Sequence, residues 1–243
     1  RSVSCLGGVI AATIFHLPTI RFHSLLLIVG FTLLTIFSNS IFKITQTKNY
    51  SELTYNKIYE KWSPLSRITV FPQILIEGKE LNLPFGWGMS KRYKQPIHSN
   101  QMWIEQDASA GTPIVPFNGD FNTVSYLKFD ITSLPYYLRK KANVFILGVG
   151  GGRDVLTALL FKNEKITGVD IHPIIVSLIK NKYADYAGHI YQNPRVSIFI
   201  SDGRSYLAKN KEHFDIIQIP LIDSWAATVA GAFAMTENSL YTV

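Results

Sequence analysis

Four glycines and three aspartates carry the chemistry this chain can be expected to do. Gly148, Gly150 and Gly152 stand in ILGVGGGRD, with Asp154 closing that string. Asp170 ends the run ITGVD, and Asp202 and Gly203 follow the run VSIFIS. Glycine lets a backbone turn sharply and approach a ligand with no Cβ in the way. A helix that starts after such a turn aims free N–H groups and its positive dipole end at whatever lies there. An acid at the tip of the next strand can accept both hydroxyls of a ribose. Asp170 follows Gly148 at the spacing of about 20 residues expected for that role. These residue types in this order point to nucleotide binding. A tight strand–helix turn with a surface acid is the plainer alternative.

The elements that must position these residues are legible. Val144 to Leu147 is a short apolar run that reads as a strand, and Val155, Leu156, Leu159 and Leu160 share one face of a helix behind the glycines. Ile166 to Val169 reads as a second strand and Val196 to Ile200 as a third. A helix over Ile174 to Tyr186 follows Pro173, and Phe214 to Ile219 reads as a fourth strand. Thr132 to Lys141 is a short helix pattern ahead of the first strand. The glycines fit G-x-G-x-G, since Arg153 takes the place of a last glycine. That spacing suits an S-adenosylmethionine-type site better than a dinucleotide site. Asp202 is placed to accept a hydrogen bond from an adenine amino group, or to cap the helix through Arg204 to Ala208, or both.

From about Pro64 onward the chain resembles the spermidine/spermine synthase (polyamine aminopropyltransferase) family, its membrane-fused branch in particular. The matching pieces are ILGVGGGRD, VDIHP, PRVSIFISDGRSYL and FDIIQIPLIDS. The resemblance implies an α/β chain: a Rossmann-like S-adenosylmethionine-dependent transferase fold, incomplete here, behind a small β-rich subdomain. It implies S-adenosylmethionine or its decarboxylated form as co-substrate, a small-molecule amine as acceptor, no metal, and a homodimer as one assembly open to it. It assigns Asp223 to deprotonate the acceptor amine, with Ser224 beside it in the substrate pocket. Asp107 is the one acid that survives from the family's amine-binding stretch, whose Tyr-His pair is missing here. The family often has an aspartate directly after its glycines to hold the amino group of the nucleotide's tail. Gly151 stands at that position, and Asp154 is the substitute. His172 replaces an acid of the family pattern and reads as a loop residue. Arg153 is unusual. Turned inward, its cation would pair with a carboxylate and favour intact S-adenosylmethionine; it would otherwise point outward. Methyl transfer on the same scaffold, and a non-catalytic nucleotide sensor, are the alternatives, the sensor drawing on Pro220 at the tip of the fourth strand.

Ahead of this region the chain changes character. Ser2 to Ile20 and Ser24 to Phe42 are uncharged and apolar, each about 19 residues, enough to cross a hydrocarbon core of about 30 Å. They read as a membrane hairpin over residues 1–42. Residues 43–130 form a linker and the β-rich subdomain, and residues 131–243 the nucleotide-binding domain. Strand candidates in the second part are Arg67 to Phe71, Ile74 to Ile76, Gln101 to Glu105 and Thr112 to Phe117. Lys and Arg outnumber Glu in residues 43–94, which places the soluble part on the cytoplasmic side of an integral membrane protein. The net charge of +7 fits an anionic lipid surface; no basic face interleaved with aromatics suggests nucleic acid. The single Cys5 rules out an internal disulfide. A full Rossmann-like sheet would need strands beyond the fourth, so the chain is expected to be part of a longer one.

Overall fold

The computed structural model describes residues 29–30, 32–34, 44–47, 50–76, 79–81, 84–93, 100–108 and 110–220. The chain divides into two units, Arg1–Thr45 and Gln46–Val243. In the first, residues 29–30 and 32–34 are helical and Val29, Leu33 and Leu34 are exposed. The two apolar segments read as membrane helices lie almost wholly outside the described residues. Among the described residues no helix is long and apolar enough to cross a membrane.

The second unit opens with the two-residue strands β1 (Gln46–Thr47) and β2 (Tyr50–Ser51), which pair with each other. An antiparallel sheet follows, built from β3 (Tyr59–Trp62), β4 (Arg67–Phe71), β7 (Met102–Gln106) and β8 (Ala110–Ile114) in that spatial order. A separate hairpin pairs β5 (Ile74–Ile76) with β6 (Lys79–Leu81). Arg67 lies buried in β4 because Glu52 takes its guanidinium from both sides: Nη2 donates to Oε2 at 2.6 Å and Nη1 to Oε1, while Nε reaches Glu60 at 2.7 Å. Burial would push the Glu52 carboxyl up, but hydrogen bonds from Arg67 and Lys57 outweigh it and hold the group below its ordinary value of 4.5. Its contribution to stability is therefore present above that value and lost as the pH falls through the lower, folded one. Glu52→Gln leaves Arg67 with Glu60 alone. It is expected to cost about 3 kcal/mol, the low end for a buried ion pair that loses one partner, because Glu60 still compensates part of the Arg67 charge. Denaturant unfolding at neutral pH measures this, and the gap from wild type should shrink in acid.

β8 begins at Ala110 rather than Thr112 and stops at Ile114. The β7–β8 turn sets that start: Asp107 and Ala108 both have positive φ, 49° and 65°, and Asp107 Oδ1 accepts the Arg67 N–H at 3.0 Å. β8 is an edge strand, which is why it tolerates Pro113.

The remainder is a parallel sheet. Its strands are β9 (Asn143–Leu147), β10 (Lys165–Asp170), β11 (Val196–Ile200) and β12 (Ile216–Gln218), in the spatial order β11-β10-β9-β12. The central pair β9 and β10 is almost continuously buried, as expected of parallel strands covered on both faces. Helix α1 (Leu134–Leu138) precedes the sheet, α2 (Arg153–Leu160) links β9 to β10, and α4 (Gly203–Lys209) links β11 to β12. The helix expected after Pro173 is α-helical only over α3 (Pro173–Ser177). It then widens into a π turn over Leu178–Lys182, closed by the Tyr183 N–H on the Leu178 carbonyl at 2.7 Å. That wider turn keeps both Leu178 and Ile179 in the core.

Candidate functional site

The strand order reverses between β9 and β12, the place where open α/β sheets leave a crevice beyond their carboxyl ends. A cavity of about 290 Å³ lies there. Its floor comes from the ends of β9, β10 and β11 with the loops that follow, and Pro220 beyond β12 reaches it. Its roof comes from the β7–β8 hairpin, with Gln106, Gly111, Thr112 and Pro113, and from Trp87.

The glycine loop is held on three sides. Gly148 N–H bonds back to the Val169 carbonyl at 2.7 Å. Gly150 N–H donates to Asp170 Oδ2 at 3.0 Å, and its carbonyl accepts the Tyr191 hydroxyl at 3.0 Å. Gly151 N–H donates to Thr112 Oγ1 at 3.0 Å, and Ile114 forms a bridge with Gly152, so the β hairpin is laid directly on the loop. A Cβ at Gly151 would fall 2.0 Å from the Pro113 carbonyl oxygen. Gly152 occupies the left-handed region at φ 86° and serves as the residue before α2.

Asp170 sits at the tip of β10, buried. Oδ1 accepts the His172 N–H at 2.8 Å while Oδ2 takes that of Gly150. Burial pushes this carboxyl up, against the pull of those backbone donors. Each oxygen engaged by one N–H retains acceptor capacity toward the cavity. Asp202 follows β11 and caps α4 by accepting the Ser205 N–H at 2.8 Å, which holds its carboxyl below the ordinary range. Gly203 is buried against Leu147; a Cβ there would lie 1.9 Å from Leu147 Cδ1.

Asp154 is buried in the first turn of α2 and lines the cavity. Burial drives its carboxyl up; Arg153 lowers it and Asp130 raises it again. Arg153 also lines the cavity and is 3% exposed, so the outward reading of this side chain is corrected. It is not free for a ligand carboxylate either: Nη2 lies 2.6 Å from Asp130 Oδ2 and Nη1 3.2 Å from Thr132 Oγ1.

Gly148, Gly150, Asp154, Asp170, Asp202 and Gly203 thus meet around one cavity. Gly152 does not line it: it packs against Ile190 and sets the start of α2. Asp107 does not line it either; its Oδ1 accepts the Arg67 N–H of β4 and ties the β7–β8 turn to that strand. Asp223 and Ser224 lie outside the described residues. Two contributors escaped the sequence reading. Asp130 carries a recognisable signal, an Asp-x-Thr turn whose Oδ1 accepts from Thr132 N–H at 2.9 Å. Tyr191 carries none. His172 is a loop residue as expected, but a buried one, with Nε2 3.0 Å from Ser66 Oγ. It joins the end of β10 to the β3–β4 turn.

Residues 126–237 match the sequence profile of the spermine/spermidine synthase domain. The chain is 34% identical over 83 residues to a polyamine aminopropyltransferase of Sulfurisphaera tokodaii, covering 33% of this chain and 27% of that protein. It is 34% identical over 89 residues to another of Buchnera aphidicola subsp. Schizaphis graminum, covering 36% of this chain and 31% of that protein. The chain thus spans less than a third of the length of either relative. Among solved structures it is similar to spermidine synthase from Thermotoga maritima, with 21% identity and a TM-score of 0.43 over 67% of this chain and 47% of that one.

Proposed function

We propose, from the premise that residues 126–237 belong to the spermine/spermidine synthase domain family, that this chain is a spermidine synthase-like aminopropyltransferase. One observation carries the reading. Six residues chosen for nucleotide chemistry converge on a single cavity at the switch point of the sheet.

The residues present fit decarboxylated S-adenosylmethionine as co-substrate. Asp170 would take the ribose hydroxyls and Asp202 the adenine amino group. Asp154 would face the ammonium of the tail. Burial pushes the Asp154 carboxyl up even with Arg153 nearby, and an ammonium beside it would favour the ionised form. The bound sulfonium supplies an electrophilic carbon with a good leaving group. The chain's own work is to hold and deprotonate the acceptor. A protonated amine has no lone pair, so its proton must leave near the reacting carbon. Asp223 would take that proton, with Ser224 beside it. The amine nitrogen then forms its bond to the aminopropyl carbon as the carbon–sulfur bond breaks, and methylthioadenosine leaves. Asp223→Ala is expected to lower transfer at least about a thousandfold while sparing nucleotide binding, within the range ascribed to a positioned acid or base. Parallel turnover and calorimetric assays measure both, and retained turnover would remove Asp223 from the mechanism.

Methyl transfer to a different acceptor is the second reading. It draws on the roof, where Gln106, Ala110, Gly111 and Thr112 offer no charge to hold a polyamine. Attachment to a membrane, with this unit on the cytoplasmic side, remains part of the proposal. Its support is the pair of uncharged apolar segments and the basic stretch behind them.

A further inference from the structure

Asp130 belongs to no motif read from the sequence and lies outside the cavity wall, yet it decides what charge the wall presents. It is 3% exposed, at the start of the 3-10 turn Ile131–Ser133. Its two oxygens are divided. Oδ1 accepts the Thr132 N–H at 2.9 Å and the Thr132 hydroxyl at 3.0 Å. Oδ2 faces Arg153 Nη2 at 2.6 Å. Arg153 in turn stands 3.5 Å from Asp154, and both of these line the cavity.

The cluster therefore holds two carboxylates and one guanidinium, all nearly excluded from water. The cation lies closer to the carboxylate behind it, at 2.6 Å, than to Asp154, at 3.5 Å, so Asp154 is the acid left facing the cavity and the one a ligand cation would hold in its ionised form. Charges buried without partners are strongly disfavoured, so a ligand that completes the balance gains from doing so. An ammonium brings two cations against two carboxylates. A tail bearing an ammonium and a carboxylate together brings no net charge and adds a third carboxylate to the group.

We infer that Asp130, acting through Arg153, is the specificity-determining residue that makes this site select a nucleotide tail carrying an ammonium without a carboxylate. The inference rests on the proposed nucleotide site and sharpens it. Without Asp130 the Arg153 guanidinium becomes available to a ligand carboxylate, and the preference should fall. Discrimination of this kind comes as much from what the site repels as from what it attracts. Asp130 is thus a positioning residue, since it reaches the ligand only through its neighbour.

The test is calorimetric titration of the full chain with three probes: methylthioadenosine, decarboxylated S-adenosylmethionine and S-adenosylmethionine. The first lacks the charged tail and reports on the nucleoside half alone. Wild type should bind the decarboxylated form at least about tenfold more tightly than the intact one. Asp130→Asn keeps an oxygen for the Thr132 turn but removes the charge. It should narrow that ratio at least about tenfold while methylthioadenosine binds as before. Asp154→Asn is the second variant, and it should weaken the decarboxylated form most. A ratio unchanged in Asp130→Asn, with methylthioadenosine still bound, would overturn the inference whatever Asp154→Asn does, and would leave the nucleotide site standing. Failure of methylthioadenosine to bind wild type would overturn the nucleotide site, and the inference with it.

Discussion

Replacing Asp170 by alanine is expected to weaken nucleotide binding about a hundredfold, the largest loss from any single side chain in the cavity wall. A hydrogen bond to a charged group contributes about 1.5–3 kcal/mol. Two ribose hydroxyls on one carboxylate therefore place the loss near 3 kcal/mol, or about two decades in Kd. The same carboxylate holds the Gly150 and His172 N–H groups at 3.0 and 2.8 Å, so the variant also releases the glycine loop. Asp170→Asn keeps one acceptor and should lose only about tenfold. The pH dependence has a definite sign. Burial places the folded pKa of Asp170 above its ordinary value of 3.8. Binding needs the ionised form, so affinity should decline on acidification earlier than for an exposed aspartate. Stability of the ligand-free chain runs the other way for this group. The folded chain holds the proton more tightly than the unfolded one, so its contribution falls as pH rises through that window. Calorimetric titration across a pH series reads the first effect, and denaturant unfolding the second.

Gly151→Asp should unfold or misassemble the site, although the resembling family often carries an aspartate at this place. A Cβ here would meet the Pro113 carbonyl oxygen at 2.0 Å, its carbon at 2.7 Å and the Ile114 nitrogen at 3.2 Å, all of them main-chain atoms. No rotamer relieves a clash with backbone. The hairpin would have to lift, breaking the Thr112–Gly151 hydrogen bond and the Ile114–Gly152 bridge. Overpacking alone costs about 1–3 kcal/mol, and a buried carboxylate against a carbonyl adds to it, so a loss of about 3 kcal/mol or more is expected. For a chain of this size that lowers Tm by roughly 10 °C. Gly151→Ala should lose most of the same stability, because the Cβ makes the clash. A stable Gly151→Asp protein that binds nucleotide more tightly would mean that the β8 strand does not lie on the loop as described.

The residues proposed to hold the nucleotide were open to sequence reading because their signals are local. Gly148, Gly150, Asp170, Asp202 and Gly203 each sit within a few residues of a strand end, and apolar periodicity locates strand ends. Asp202 shows the limit of that reading, since helix capping and ligand contact make the same demand on the residue. The Arg153 side chain could not be placed from its neighbours. Its direction is decided by Asp130, whose approach depends on the turn before α1 rather than on the glycine loop. The β7–β8 hairpin was hidden for a similar reason. Its register follows from the left-handed turn at Asp107 and Ala108, and alanine is a residue type that does not announce positive φ. Asp107 was read as a ligand residue from the family resemblance, as the one acid surviving in the amine-binding stretch, whereas its Oδ1 accepts the Arg67 backbone N–H. The β3 strand, with exposed Glu60, Lys61 and Trp62, lacks the apolar alternation that would have marked it.

The central claim is that this cavity supports aminopropyl transfer. Its most direct test supplies the full-length protein with both S-adenosylmethionine and its decarboxylated form, together with a pool of polyamines. Mass spectrometry then identifies the spent nucleotide. The account predicts methylthioadenosine, formed in step with an extended amine and lost in the Asp170→Ala protein. S-adenosylhomocysteine in its place, or no spent nucleotide from a protein that binds both forms, would contradict it.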